Sequence, residues 1–184
     1  MHRLFIGIDP PTGVKDTLIE IMGGVIGARW QGEDQLHMTL RFLGERTHHE
    51  SNDIAEALAG VTAKPVTLAV NGVGTFDRRG RIDQLWAGIR PPDDAKRLHK
   101  KVTRALTAIG VEPETRSFHP HITLARFSRG AGPLTDFLIR HGDLRLPAFE
   151  VTEFCLYEST LTGERAEYDI IARYDFAQGN LVLD

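Results

Sequence analysis

His37-Met38-Thr39-Leu40 and His121-Ile122-Thr123-Leu124 are nearly the same tetrapeptide, met once in each half of a 184-residue chain. On an extended strand, residues i and i+2 point to the same face. His37 therefore shares a face with Thr39, and His121 with Thr123. If the two halves pack about a pseudo-twofold, two imidazoles and two hydroxyls converge on one pocket. That inventory suits phosphoryl transfer: one histidine takes a proton from the nucleophile while the other protonates the leaving oxygen. Imidazole is fitted to both tasks because its ordinary pKa of about 6.5 keeps both forms available near neutrality. The threonine hydroxyls can hold non-bridging phosphate oxygens. Met38, Leu40, Ile122 and Leu124 then fall on the opposite faces, as core residues. One His-x-Thr alone would carry no message; the matched pair does.

The flanking elements have to present these motifs. The N-terminal segment Met1 to Asp9 reads as a first strand, turning at Asp9-Pro10-Pro11 into a helix along Val14, Leu18, Ile21 and Val25. Gln35 to Leu43 is predicted as a strand ending at Gly44. Thr47 and Glu50 form a capping box for a second helix carrying Ile54, Leu58 and Val61. Val66 to Val70 is a strand, followed by a turn at Asn71-Gly72-Val73-Gly74, and Leu85 to Ile89 is another. Pro91-Pro92-Asp93 opens the clearest helix, with Leu98, Val102, Ala105, Leu106 and Ile109 on one face and Gly110 as its stop. His119 to Phe127 is strand-like, and a short helix runs from about Leu134 to Ile139. Strands around Val151–Tyr157 and Tyr168–Phe176 flank a polar turn at Gly163 and form a hairpin. The order predicts an α+β fold: bilobal, two pseudo-symmetric halves, with largely antiparallel sheets facing a central cleft, in a single domain over residues 1–184.

At these residues the chain resembles the 2H phosphoesterase superfamily, and within it the RNA 2′,3′-cyclic phosphodiesterases, historically called 2′-5′ RNA ligases. The resemblance rests on Arg29-Trp30 leading to His37-Met38-Thr39-Leu40-Arg41-Phe42-Leu43-Gly44, and on Phe118-His119-Pro120-His121-Ile122-Thr123-Leu124-Ala125-Arg126. It extends to Phe5-Ile6-Gly7-Ile8-Asp9, to Leu85-Trp86-Ala87-Gly88 and to Tyr157-Glu158-Ser159 with Tyr168. It implies hydrolysis of 2′,3′-cyclic phosphate ends of RNA or nucleotides to 2′-phosphates, without metal or cofactor. By position, His37 and His121 are catalytic, and Thr39 and Thr123 bind phosphate. Phe42 and Arg126, each five residues after its histidine, are placed to hold the nucleobase. Simple alternation puts i+5 on the opposite face, so that last role requires a bulge or a strand end.

The rest of the composition sets limits. A net charge of −3 excludes a protein that coats long nucleic acid electrostatically, while leaving room for a site that reads one terminal phosphate. With 41% hydrophobic and 26% charged residues the chain is an ordinary globular one. Its apolar runs are too short to span a bilayer, so the expectation is a cytoplasmic monomer without membrane association. Cys155 is the single cysteine, which excludes an internal disulfide, and reads as a buried small hydrophobe. His48-His49 reads as an exposed helix start, His119 as support for the turn at Pro120, and Trp30 and Trp86 as packing anchors. Ligation or cleavage of 2′-5′ linkages, a non-catalytic RNA-end binding module and a metal hydrolase are the competing readings.

Overall fold

The computed structural model describes residues 1–128, 130–162, 165–177 and 181–182. Among these residues ten strands and four α-helices follow one another as β1 (His2–Ile8), α1 (Thr12–Glu20), β2 (Arg29–Trp30), β3 (Met38–Arg46), α2 (His48–Ala59), β4 (Val66–Arg78), β5 (Arg81–Arg90), α3 (Pro92–Ala108), β6 (His121–Arg126), α4 (Thr135–His141), β7 (Phe149–Val151), β8 (Glu153–Thr162), β9 (Arg165–Asp175) and β10 (Leu181–Val182). A 3₁₀ turn, Glu33–Gln35, precedes β3. The fold is α+β, and every strand pairing is antiparallel.

The strands line up as β10-β9-β8-β1-β3-β6-β5-β4-β7, with β2 alongside β6. This order is nearly palindromic about the β3–β6 seam, where one residue pair, Met38 and Ile122, is in register. On one side β3 is backed by β1 and β8; on the other β6 is backed by β5 and β4. The lobes are not contiguous halves of the chain. β4 follows α2 yet completes the sheet of β5 and β6, and β8 follows α4 yet returns to β1. This exchange ties the lobes together covalently twice.

One face of the sheet carries the core. Leu18 of α1, Ile54 and Leu58 of α2, Leu98, Val102 and Leu106 of α3 and Phe137 of α4 join Met38, Leu40, Ile122 and Leu124 in a single buried cluster. All four motif residues are at most 1% exposed, as the strand phase requires. At α2 the expected capping box is present: Glu50 N–H donates to Thr47 Oγ1 at 3.3 Å and Thr47 N–H to Glu50 Oε2 at 2.8 Å. Among the described residues no helix is long and apolar enough to cross a membrane.

Several boundaries differ from the sequence reading. α1 ends at Glu20, because Gly23 and Gly24 adopt φ of 155° and 70°; Val25 is still buried, but from a loop. Asn71-Gly72-Val73-Gly74 is not a turn. It lies inside β4, where Gly72 at φ 73° accompanies a register shift between Val70 and Val73, a bulge rather than a reversal. The reversal comes at Arg79-Gly80, both with positive φ, which gives the two-residue turn that matches strand twist. The β8–β9 hairpin is present, closing at the Thr162–Arg165 pair; Gly163, assigned to its turn, lies outside the described residues.

Candidate active site

The residues left on the other face of β3 and β6 line a cleft of about 680 Å³ that takes in Thr39, Phe42, Gln84, His121, Thr123 and Arg126. His37 lies behind Thr39, only 9% exposed. Its Nδ1–H donates to the Gln35 carbonyl at 2.8 Å, which leaves Nε2 to accept from the Thr39 hydroxyl at 3.0 Å. Gln35 is itself fixed. Its side-chain oxygen takes the Gly32 N–H at 2.9 Å, and its amide donates to the Ala166 carbonyl of β9 at 2.6 Å. A C-terminal strand thus sets the orientation of the first histidine.

His121 repeats the arrangement. Its Nδ1–H donates to the carbonyl of His119, again two residues upstream, at 2.6 Å. In both rings this bond selects the tautomer with the proton on Nδ1 and a free lone pair on Nε2. The partners at Nε2 differ. His121 Nε2 accepts from the Gln84 amide at 2.9 Å, and the same amide nitrogen donates to Thr123 Oγ1 at 2.7 Å. Around His37 stand Phe5, Tyr157 and Tyr168, with ring centroids 4.6, 5.5 and 5.3 Å away. Around His121 stand Phe76 at 4.9 Å and Trp86 at 6.2 Å.

Burial lowers the pKa of both imidazoles to about 4, more than the backbone carbonyls at Gln35 and His119 raise them. The charges of Arg126, His121 and Lys15 push His37 further down, and those of His119 and Arg126 act on His121. Both imidazoles are therefore neutral near pH 7, and His121 lines the cleft directly. An anionic phosphate between them raises the affinity of each ring for a proton.

Phe42 and Arg126 both reach this cleft, although they are five residues beyond their histidines. The reason is a pair of matched register shifts. Ile6 pairs with Arg41 and Gly7 with Thr39, so Leu40 is an extra residue on β3. Leu85 pairs with Ala125 and Trp86 with Thr123, so Leu124 is an extra residue on β6. Consecutive residues Leu40-Arg41 and Leu124-Ala125 are consequently buried together. Each bulge inverts the alternation once, returning position i+5 to the face of i. Phe42 is 56% exposed, a large aromatic surface offered to the cleft.

The other wall is the segment after α3. Arg41, 4% exposed, donates to the Glu112 carbonyl and faces Glu114 at 3.7 Å, and Phe118 stacks on His99 at 4.3 Å with the rings 5° from parallel. Trp86 packs as expected: its indole lies over Gly74, where an added Cβ would come within 2.4 Å of the ring. Trp30 packs on Phe137. Cys155 is fully buried, and burial pushes its thiol up to about 12. His119, read as a turn residue, also lines the cleft, its ring 4.9 Å from Trp86. Gln84 and Phe76 were not anticipated. They lie on strand segments hidden in sequence by the glycines of β4, and a hairpin across Arg79-Gly80 was the signal that would have paired them.

Comparison with known proteins agrees with this fold. At 33% identity over 74% of this chain and 79% of its own length, the relative from Aeropyrum pernix is an RNA 2′,3′-cyclic phosphodiesterase. The Escherichia coli protein of the same name is 31% identical over 96% of this chain and 98% of its own. The crystal structure of E. coli LigT complexed with 3′-AMP superposes with a TM-score of 0.77 at 27% identity, covering 96% of this chain and 99% of that one. The family model of LigT-like phosphoesterases matches twice in tandem, over residues 8–86 and 89–168, with one His-x-Thr motif in each match. The chain belongs to the LigT-like phosphoesterase family.

Proposed function

We propose that this protein is a metal-independent RNA 2′,3′-cyclic phosphodiesterase acting on RNA or nucleotide ends, and that its product is the 2′-phosphate. The observation that carries the reading is the paired orientation of His37 and His121, each held through Nδ1 by the carbonyl two residues upstream and each leaving Nε2 as the unprotonated nitrogen. The names of the relatives support the substrate class.

In the assigned mechanism, His121 Nε2 takes a proton from water as its oxygen bonds to phosphorus. The bond from phosphorus to the 3′-oxygen breaks, and His37 Nε2 delivers its proton to that oxygen. The products are a 2′-phosphate and a free 3′-hydroxyl. Thr39 and Thr123 hold the non-bridging oxygens between the imidazoles, and Phe42 and Arg126 hold the terminal base by stacking on ring and guanidinium planes. The chain is assigned one domain built of two halves, working as a cytoplasmic monomer, where the buried free thiol of Cys155 suits a reducing compartment. Phosphorus NMR of a nucleoside 2′,3′-cyclic phosphate incubated with the protein tests the reading. A 2′-phosphate resonance is expected; an unchanged cyclic phosphate refutes it. Faster turnover of a 2′-5′ dinucleotide would favour the alternative phosphodiesterase or ligase activity.

A further inference from the structure

The tip of the β4–β5 hairpin carries three arginines in four positions, Arg78, Arg79 and Arg81, an unfavourable arrangement for the fold alone. Arg78 and Arg81 are direct cross-strand partners, so two like charges face each other, a pairing that destabilises a hairpin. Arg79 has φ 57°, the one positive φ at a non-glycine among the described residues, in a turn position that glycine or asparagine fills more easily. Among the described residues none of the three is in an ion pair, although Asp77 and Asp83 are close in sequence. Strain and unpaired charge concentrated at one place point to a ligand that compensates them.

A second cleft, about 700 Å³, is lined by these arginines together with Asp83, Phe127 and Ser128. It shares Arg78 and Asp83 with the cleft of His121. Asp83 is held at this junction by its carbonyl, which accepts the Phe127 N–H at 2.9 Å. From Gln84 to Arg81 is three strand residues, about 10 Å at ~3.3 Å each. The arginine-lined cleft is thus the neighbour of the reacting phosphate along the same hairpin, in a protein whose overall charge is −3.

We infer that the Arg78–Arg79–Arg81 tip binds the phosphodiester backbone of the nucleotides preceding the cyclic end, which makes single-stranded oligoribonucleotides, rather than mononucleotides, the preferred substrate class. The inference rests on the cyclic-phosphodiesterase reading for the placement of the chain end. Guanidinium groups bind phosphates regardless of sequence, and Ser128 adds a hydroxyl at the same cleft.

The test is R79G/R81T, whose replacements suit the turn and the strand and whose positions line the arginine cleft alone. Binding of a labelled hexaribonucleotide ending in a 2′-phosphate is followed by anisotropy against salt concentration. Affinity at low salt falls roughly 10-fold or more in the variant, and the log–log salt slope drops by about 1.4, two contacts at ~0.7 each. Turnover of a mononucleoside 2′,3′-cyclic phosphate stays at the level of the natural protein, while that of the hexamer's cyclic phosphate declines. Unchanged hexamer affinity and salt slope would overturn the subsite. If the natural protein turned over neither the mononucleotide nor the hexamer's cyclic phosphate, the enzymatic reading would fall, and the binding titration would still decide the subsite.

Discussion

Gln84 stands to His121 as Phe5 stands to His37. In register, Phe5 of β1 pairs with Phe42, and Gln84 of β5 pairs with Arg126, each partner five residues past its histidine. The two positions are equivalent under the pseudo-twofold, yet one presents an aromatic ring 4.6 Å from its imidazole and the other an amide 2.9 Å from Nε2. This difference between the halves gives the histidines different surroundings where their motifs do not. Both Nε2 atoms accept a hydrogen bond, from the Thr39 hydroxyl at His37 and from the Gln84 amide at His121, so in the assigned mechanism the Gln84 amide gives way as His121 takes its proton.

Replacing Gln84 therefore separates positioning from packing. In Gln84→Glu the new carboxylate favours imidazolium at His121, and the limb of the pH–rate profile assigned to the base moves up by one unit or more. Gln84→Leu lowers kcat with no such upward move from a carboxylate. Identical pH profiles in the natural protein and Gln84→Glu would show that this residue does not act through His121.

The depressed pKa values predict how activity and stability follow pH. Both free imidazoles titrate near 4, chiefly through burial. One must be protonated for turnover, so kcat/KM falls as pH rises from 5 to 8. Bound phosphate raises the pKa of its acid, so the kcat optimum lies nearer neutrality. Coincident optima would contradict this. For stability the sign is opposite: between about 6.5 and 4 the unfolded chain binds protons that the native rings refuse, so stability falls as pH falls through that window. A double His37→Asn, His121→Asn variant should show a flatter dependence of Tm on pH.

The shared face of each histidine and its threonine was legible because it depends only on strand phase, and phase is written in the alternation of His37, Thr39 and their buried neighbours. Thr47 and Glu50 announced α2 for a similar reason, since a capping box is local. The cleft walls were harder. Whether Phe42 and Arg126 reach the site depends on the bulges at Leu40 and Leu124, which are properties of pairing with β1 and β5 and leave no mark on either motif. Gln84 was hidden by Gly72 and Gly74, which read as a turn; the bulge and the seat for Trp86 that they provide exist only once β4 meets β5. The exchange of β4 and β8 between lobes is likewise a long-range choice, and nothing in either tetrapeptide specifies it.

Phe42→Ala and Arg126→Ala test the consequence of those bulges. Base stacking is worth about 1–3 kcal/mol per base, so loss of either face should raise KM roughly 5- to 150-fold with a smaller change in kcat. An effect on kcat alone would place these residues at the chemistry instead of the base.

Turnover is expected to survive exhaustive chelation. Two imidazoles already supply the acid and base that a metal-bound water would otherwise provide, and the described residues include no group of three or more His, Cys, Asp or Glu placed to hold an ion. Activity abolished by EDTA and restored by a divalent cation would refute the assignment.

The assignment of acid and base can be read from the leaving group. Removing either histidine should slow hydrolysis by roughly 10²–10⁴-fold, the scale for a positioned proton donor or acceptor, with Thr39→Ala and Thr123→Ala each costing less. The two losses differ in kind. A cyclic substrate with sulfur in place of the 3′-oxygen departs as a thiolate, whose conjugate acid has a pKa of about 8.5, and so needs little protonation. It bypasses the acid and leaves the demand on the base untouched, because water must still be activated. The sulfur substrate should therefore restore much of the rate of His37→Ala and little of that of His121→Ala. Rescue in the opposite sense would exchange the two roles, and a 3′-phosphate product from the natural substrate would show that the nucleotide lies in the cleft in the reverse orientation, with its 2′-oxygen toward His37.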